Sequence, residues 1–230
     1  MNKIGKGPNL IFFHGGGVRY NSYLPLMKAL SSHYTVYYFD LPGHGSEMTN
    51  GNPIDAVNKL TQKIKNYSIG NPILLGHSFG GFCAYEVSKN LEDINQVILL
   101  NPLLIESKKN FLYLLFRFLI LKNIRSIIMK PMIIKFYIKA FMDILINIFS
   151  QNINLVNTIK LLLNSTYCTK TPLNQSNPKT VILHGKHDSI IPYNNFQDGF
   201  KKITNLVDGE HDWCMNNVED TVRKILKVAT

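Results

Sequence analysis

The sequence predicts an α/β fold in which a mostly parallel sheet is covered by helices on both faces. Short apolar runs alternate with segments of helical spacing, and polar or glycine residues follow most of the apolar runs. The chain has 230 residues, of which 45% are hydrophobic and 17% are charged, so it is long enough to bury one substantial core. We therefore expect one globular unit.

Six apolar runs are predicted to be buried strands of this sheet. They are bounded by turn residues and lie at Leu10–His14, Thr35–Phe39, Ile73–Gly76, Val97–Leu100, Thr180–His184 and Ile203–Val207. Helical spacing is found at Tyr23–Ser31, Ile54–Asn66, Phe82–Leu91 and Val218–Val228. This alternation is typical of parallel sheets, whose catalytic groups collect beyond the carboxyl ends of the strands.

The alternation stops between Pro102 and Pro178, where helical spacing continues without a strand pattern. Residues 103–177 are therefore predicted to form a helical cap, inserted into a core made of residues 1–102 and 178–230. Between Glu106 and Ser150 there are eight Lys/Arg and two Asp/Glu, which is a net +6 of the chain's +10. The apolar stretches of this segment are shorter than the roughly 20 uncharged residues that span a bilayer.

The strongest local motif lies at the end of the strand that begins at Ile73. Residues 76–80 have the sequence GHSFG, which matches G-x-S-x-G with a strand before it and a helix after it. A sharp turn there raises the serine hydroxyl above the sheet and leaves no room for side chains two residues away on either side. The amides at the start of the following helix can stabilise negative charge at the same place. Ser78 is therefore the predicted nucleophile.

Together with this motif, four further stretches resemble the α/β-hydrolase family. They are HGGG at 14–17, DLPGHGS at 40–46, GKHDSIIP at 185–192 and GEHD at 209–212. The resemblance covers nearly the whole chain and implies an α/β-hydrolase fold. Members of the family usually have two or more strands before the HGGG-like loop, whereas only nine residues precede Leu10 here. The sheet is therefore expected to have six to seven strands.

The resemblance implies a catalytic triad in which His211 is the base and Asp188 is the acid. A serine hydroxyl is a weak nucleophile at neutral pH, so an imidazole must accept its proton and return it to the leaving group. An ionised carboxylate at the other ring nitrogen sets the tautomer and stabilises the imidazolium. Asp208 and Asp212 stay open as alternatives for the acid because they neighbour the histidine, although adjacency in a loop does not direct a carboxylate at Nδ1.

The resemblance also implies an oxyanion hole made of two backbone amides. In the family one amide belongs to the residue after the nucleophile and the other to the loop after the first strand, which here indicates Phe79 and Gly16. Gly17 is an alternative donor, and both Gly17 and His77 are predicted to contact the substrate. We interpret the DLPGHGS turn as structural, with Asp40 bonding to loop amides.

No metal or cofactor is expected at this site. His184, His187 and Asp188 are close in sequence, but H-x-x-H-D fits no common metal-ligand spacing and lies where the family has its acid. The three cysteines form no CxxC pair and leave an odd thiol, which is typical of a reducing compartment. The first residues of the sequence show no signal-peptide pattern, so the expected location is cytoplasmic.

The chemistry predicted from these residues is cleavage of a carboxylic ester or thioester of an acyl substrate through an acyl-enzyme on Ser78. Acyltransferases, peptidases, lactonases and carbon–carbon-cleaving enzymes share such residues, and a non-catalytic small-molecule receptor stays open as well.

Three interpretations of the basic cap stay open. Its apolar residues can simply pack on the sheet, with the lysines in solvent. They can instead line an acyl pocket whose basic rim meets an anionic acyl carrier, or they can contact an anionic membrane surface as in a lipase. Nucleic acid is not an expected partner, because no binding motif accompanies the charge.

Overall fold

In the part of the chain that the structure describes, a seven-stranded sheet forms the centre. The computed structural model describes residues 1–104, 138–139, 142, 154–168 and 179–229. Its strands are β1 (Asn2–Ile4), β2 (Asn9–Phe13), β3 (Thr35–Tyr38), β4 (Ile73–His77), β5 (Gln96–Leu100), β6 (Thr180–Gly185) and β7 (Thr204–Val207). They lie in the order β1-β3-β2-β4-β5-β6-β7, and all neighbours are parallel except β1 and β3. The predicted mostly parallel sheet of six to seven strands is confirmed.

Helices pack on both faces of this sheet. They are α1 (Leu24–Leu30), α2 (Pro53–Asn66), α3 (Phe79–Ser88), α4 (Asn154–Cys168), α5 (Asp198–Lys202), α6 (Trp213–Asn216) and α7 (Val218–Val228). The strand β2 shows the two faces: Ile11 and Phe13 pack with α2, α3 and α5, whereas Leu10 and Phe12 pack with α1, α6 and α7. Because successive side chains of a strand point to opposite faces, a strand buried on both sides reads as a continuous apolar run.

The structure differs from the expected elements in the short helices α5 and α6, in one edge strand and in the bounds of α3. The edge strand β1 was not indicated by the sequence, because its three residues are mostly exposed and have no apolar pattern. The helix α3 begins at Phe79 instead of Phe82 and ends at Ser88 instead of Leu91. Its first turn contains Gly80 and Gly81, which are buried but contribute no apolar side chain to a helical pattern.

The sheet topology determines where the site lies. The strand order reverses between β2 and β4, so the loops that follow these two strands lie next to each other. Phe13 at the end of β2 pairs in register with Gly76 of β4. The stretches after β2, β4, β6 and β7 contain the predicted site residues, and they meet at one edge of the sheet.

The predicted cap, residues 103–177, lies mostly outside the described residues, and its boundaries stay a prediction. Its described helix α4 packs over the turn that follows β3. Thr158 Oγ1 donates to the carbonyl of Gly43 at 2.7 Å, and Asn157 Nδ2 donates to that of Thr49 at 3.0 Å. Leu161 is fully buried against the core. Among the helices described, none has the length and apolar content required to cross a bilayer.

Candidate active site

Ser78 occupies a strained turn between β4 and α3. Its φ of 53° lies in the left-handed region, which costs energy for a residue that has a Cβ atom. A Cβ atom on Gly76 would overlap the carbonyl oxygen of Gly80, and a Cβ atom on Gly80 would overlap that of Phe13. The glycines therefore allow the turn for the steric reason expected. Ser78 itself is partly exposed.

Ser78, His211 and Asp188 form a continuous chain of hydrogen bonds. His211 Nε2 lies 3.0 Å from Ser78 Oγ, and His211 Nδ1 lies 2.8 Å from Asp188 Oδ2. Since an ionised carboxylate can only accept, Nδ1 donates to it, and Nε2 is left as the acceptor for the serine hydroxyl. Both residues, His211 and Asp188, are buried, with 4% of each residue exposed.

The carboxylate that bonds to His211 Nδ1 belongs to Asp188, and not to Asp208 or Asp212, which are nearer in sequence. The other carboxylate oxygen of Asp188, Oδ1, accepts from the amides of Ile190 at 2.8 Å and Ile191 at 2.9 Å. These two donors hold the carboxylate in one orientation. Asp208 is exposed and lies against His187, 3.3 Å from its Nε2.

The two residues predicted to supply the oxyanion donors, Phe79 and Gly16, lie beside each other. The amide of Phe79 is the first of α3, where backbone amides have no acceptor within the helix. A Cβ atom on Gly16 would lie 3.2 Å from Phe79 Cβ and 2.7 Å from Leu162 Cδ2, so the loop contacts both α3 and α4. Gly17 donates its amide to His44 Nε2 at 2.9 Å. Of the two candidates in this loop, Gly16 therefore has the amide that is not engaged with His44.

Buried histidines connect the HGGG loop to the turn after β3. His14 Nε2 accepts from the amide of Leu41 at 2.9 Å, so its Nδ1 donates to the carbonyl of Gly15 at 2.8 Å. Burial lowers the pKa of His14 well below its usual value, with the neighbouring His44 adding to the effect. Both rings serve as neutral structural groups.

Asp40, expected to bond to loop amides, accepts from the Tyr20 amide at 3.3 Å. It also pairs with the guanidinium of Arg19, whose Nη2 lies 2.8 Å from Asp40 Oδ2. The turn after β3 is thus bonded to the segment that follows the HGGG loop.

His77 is engaged at both ring nitrogens. Nε2 lies 3.0 Å from the carbonyl oxygen of His211, and Nδ1 lies 2.7 Å from the hydroxyl of Tyr23. A carbonyl can only accept, so Nε2 carries the proton and the Tyr23 hydroxyl donates to Nδ1. Burial, followed by the nearby His211, lowers the pKa of His77 to about 4. Its predicted contact with the substrate stays a prediction, and its polar atoms bond within the protein.

Asn101 is the residue of the site that sequence reasoning missed. It follows β5 and is fully buried. Its Nδ2 lies 2.5 Å from Asp188 Oδ2 and 3.3 Å from the carbonyl of Glu210, and its Oδ1 accepts from the amide of Gly185 at 3.1 Å and from Trp213 Nε1 at 2.6 Å. A polar residue directly after a buried strand was the available signal, but a single Asn forms no motif.

The histidines considered as metal ligands from the sequence do not converge. His184 is buried, and its Nε2 lies 3.9 Å from Asp188 Oδ2. His187 is exposed and turned towards Asp208. His77, His211 and Asp212 do have potential ligand atoms within 4.8 Å of one another. A metal there would have to displace hydrogen bonds that His77 and His211 already make.

Comparison with known proteins identifies the family. Residues 10–222 match the alpha/beta hydrolase family. The pimeloyl-[acyl-carrier protein] methyl ester esterase of Pseudoalteromonas atlantica is 38% identical over 86 residues, which are 37% of this chain and 33% of that protein. The enzyme of the same name from Xylella fastidiosa is 33% identical over 98 residues, 42% of this chain and 37% of that protein. The matched segment thus spans about a third of the length of these relatives.

Solved structures agree with the fold. A bromoperoxidase from Bacillus anthracis superposes with a TM-score of 0.75 at 17% identity, covering 98% of this chain and 93% of that chain. A lipase-esterase related protein from Clostridium acetobutylicum gives 0.72 at 19% identity, covering 98% and 97%. These similarities confirm the α/β-hydrolase fold. With the match that covers residues 10–222, they establish that the chain belongs to the alpha/beta hydrolase family.

Proposed function

We propose that this protein is a serine hydrolase that cleaves a carboxylic ester or thioester of an acyl substrate. The main support is the chain of hydrogen bonds from Ser78 Oγ through His211 to Asp188. Phe79 and Gly16 lie beside each other, and their backbone amides are proposed as the donors that acyl transfer requires. The buried free thiols of Cys83 and Cys214 are in keeping with the cytoplasmic location included in this proposal.

In the proposed mechanism, His211 accepts the hydroxyl proton of Ser78 while Oγ attacks the carbonyl carbon. The oxyanion that forms accepts hydrogen bonds from the amides of Phe79 and Gly16. His211 then donates the proton to the leaving alcohol or thiol, and an acyl-enzyme stays on Ser78. In the second half of the reaction, His211 accepts a proton from a water molecule while the water oxygen attacks the acyl carbon. His211 then returns the proton to Ser78 Oγ, and the carboxylic acid is released. Asp188 stays ionised throughout and stabilises the imidazolium form of His211.

Covalent labelling tests the proposed nucleophile. A fluorophosphonate probe should modify Ser78, as mapped by peptide mass spectrometry, and Ser78→Ala should abolish labelling and leave less than about a thousandth of the turnover of p-nitrophenyl esters. Ser46→Ala makes the same change at an exposed serine and should keep full activity. A folded Ser78→Ala variant with more activity than that excludes Ser78, and a wild-type chain that neither labels nor turns over esters favours the non-catalytic receptor.

The acyl group is proposed to lie against apolar residues of the cap. Leu162 of α4 already lies beside Gly16. Each methylene group buried from the substrate can contribute about 0.8 kcal/mol. The kcat/KM of a series of p-nitrophenyl esters should therefore rise with acyl length until the pocket is full. Activity confined to acetyl esters would contradict an acyl pocket.

The substrate is further proposed to include acyl groups attached to an anionic carrier. Two observations support this: the net +6 of residues 106–150, and the similarity to esterases named for an acyl-carrier-protein substrate. Lys139 is exposed and donates to the carbonyl of Asn21, in the segment that follows the HGGG loop.

Salt dependence tests the carrier. Hydrolysis of carrier-bound esters should fall with added salt more than hydrolysis of neutral esters, because screening acts on exposed charges. Lys139→Glu should reproduce that selective loss, and Lys59→Glu on α2 should not. If both substrate classes respond alike, the carrier is excluded. Stimulation by anionic vesicles instead would favour a lipase or acyltransferase at a membrane surface.

A further inference from the structure

The side-chain amide of Asn101 uses all of its hydrogen-bonding capacity within the site. An asparagine amide has two N–H donors and two acceptor lone pairs. The backbone amide of Gly185 and the indole Nε1 of Trp213 can only donate, so the Asn101 atom that they contact must be the oxygen, Oδ1. The carboxylate of Asp188 and the carbonyl of Glu210 accept, so they define Nδ2. The orientation of the amide group therefore follows from its partners alone.

The backbone at Asn101 is constrained as well. Its φ of 43° lies in the left-handed region, which asparagine tolerates better than most residues with a side chain. The Asn101 amide donates to the carbonyl of Leu183 at 3.1 Å, and two residues later the Leu103 amide donates to the carbonyl of Ser78 at 2.9 Å. The segment thus bonds to the nucleophile turn on one side and to β6 on the other.

Asn101 and His211 share one oxygen of Asp188. Oδ2 accepts from His211 Nδ1 and Asn101 Nδ2, while Oδ1 accepts from the amides of Ile190 and Ile191. With donors on both oxygens, the carboxylate cannot rotate without breaking hydrogen bonds in a buried place, which is costly. The direction in which Oδ2 faces His211 therefore depends on Asn101.

We propose that Asn101 is a positioning residue for the reaction, which orients the Asp188 carboxylate and thereby the imidazole of His211. The nitrogen and the oxygen of its side-chain amide have different partners. The Nδ2 end bonds to the acid, and the Oδ1 end bonds to the structural groups Gly185 and Trp213. This inference rests on the proposed roles of Ser78, His211 and Asp188.

Asn101→Asp tests the Nδ2 end without changing the size of the side chain. The new carboxyl group can keep accepting at its Oδ1 position, but it can donate to Asp188 only while it is protonated. Two carboxyl groups at hydrogen-bond distance share one proton, and they lose it as the pH rises. The wild-type kcat/KM should show a single limb, with no loss at alkaline pH. The variant should show a bell-shaped profile, with kcat at least about a hundredfold lower on its alkaline side and KM little changed.

Trp213→Phe is the matched control for the Oδ1 end. It removes the Nε1 donor to Asn101 and leaves the bond to Asp188 in place. Its melting temperature should fall, and the shape of its pH profile should stay that of the wild type. If Asn101→Asp also keeps the single limb, with kcat within about threefold of Trp213→Phe, then Asn101 only packs in the core and the inference is wrong.

A second measurement needs no substitution at Asn101. In 15N-labelled protein, one side-chain amide proton of Asn101 should resonate downfield of the other asparagine side-chain protons, because it bonds to a carboxylate. Asp188→Asn should move it upfield, and Asp212→Asn should leave it in place. If the chemical shift of this proton is the same in Asp188→Asn as in the wild type, the inference is wrong, even if Asn101→Asp does not fold. Ser78→Ala or Asp188→Asn with wild-type turnover would instead overturn the proposed function itself.

Discussion

The two halves of the candidate site are positioned by different kinds of interaction. On the nucleophile side, Ser78 is placed by close packing of backbone, where Gly76 and Gly80 leave no space for a Cβ atom. On the acid–base side, Asp188 and His211 lie on loops and are oriented by hydrogen bonds from buried groups such as Asn101. Close packing at the nucleophile turn requires glycines within a few residues of one another, which is a pattern that can be recognised in the sequence. Hydrogen bonds between distant residues produce no such sequence pattern.

The largest expected effect is a loss of activity from a substitution that changes only the acid–base half of the site. Asp188→Asn keeps the shape of the side chain but removes the carboxylate that accepts from His211 Nδ1–H. The imidazole is then no longer held in the tautomer that leaves Nε2 free to accept the serine proton, so kcat should fall by about 10⁴-fold. Asp212→Asn should cost less than about tenfold, because Asp188 occupies Nδ1. Both values come from ester kinetics at pH 8, with circular dichroism to confirm folding. Equal losses would mean that Asp188 is not the acid.

The next largest expected effect is a loss of stability from a substitution that disturbs the close backbone packing of the nucleophile half. A Cβ atom on Gly80 would overlap the carbonyl oxygens of Phe13 and His14, which belong to β2 and its loop and cannot move aside cheaply. Gly80→Ala should therefore lower the free energy of unfolding by about 3 kcal/mol or more. Gly70→Ala is the matched control, because the new Cβ atom would meet only Asp93 Oδ2 at 3.6 Å.

Chemical denaturation measures both glycine variants. A Gly80→Ala protein as stable as Gly70→Ala, with normal fluorophosphonate labelling, would show that the turn adapts and is not fixed by packing. The contrast between the two halves would then be lost.

The same contrast explains how far the sequence could predict this molecule. Strands buried on both faces gave continuous apolar runs, and the six predicted strands match β2 to β7. The GHSFG motif was visible because the serine and both glycines of the turn lie within five residues of sequence, although Gly80 packs against the distant Phe13. Asn101 was not, because its partners Gly185 and Trp213 are 84 and 112 residues away. The strand β1 was missed because an exposed edge strand needs no apolar pattern.

His77 belongs to both halves, since it lies in β4 beside Ser78 and donates to the backbone carbonyl of His211. Its imidazole must stay neutral in the folded state, where burial lowers its pKa to about 4. In the unfolded chain its pKa returns to about 6.5. Between these values the unfolded state binds the proton and the folded state does not.

The smallest expected effect follows from this difference in proton binding. As the pH falls from about 6.5 to 4, His77 should lower the free energy of unfolding by up to about 1.4 kcal/mol per pH unit. The buried His14 and His184, whose pKa values are also lowered by burial, add to the loss.

His77→Gln removes one titrating group and keeps an amide that can donate to the His211 carbonyl. Its stability, measured by urea denaturation from pH 4 to 8, should depend less steeply on pH than that of the wild type. His33→Gln changes an exposed histidine and should leave the slope unchanged. A His77→Gln slope equal to that of the wild type would mean that His77 is protonated in the folded protein, and its bond to the Tyr23 hydroxyl would then have to run in the opposite direction.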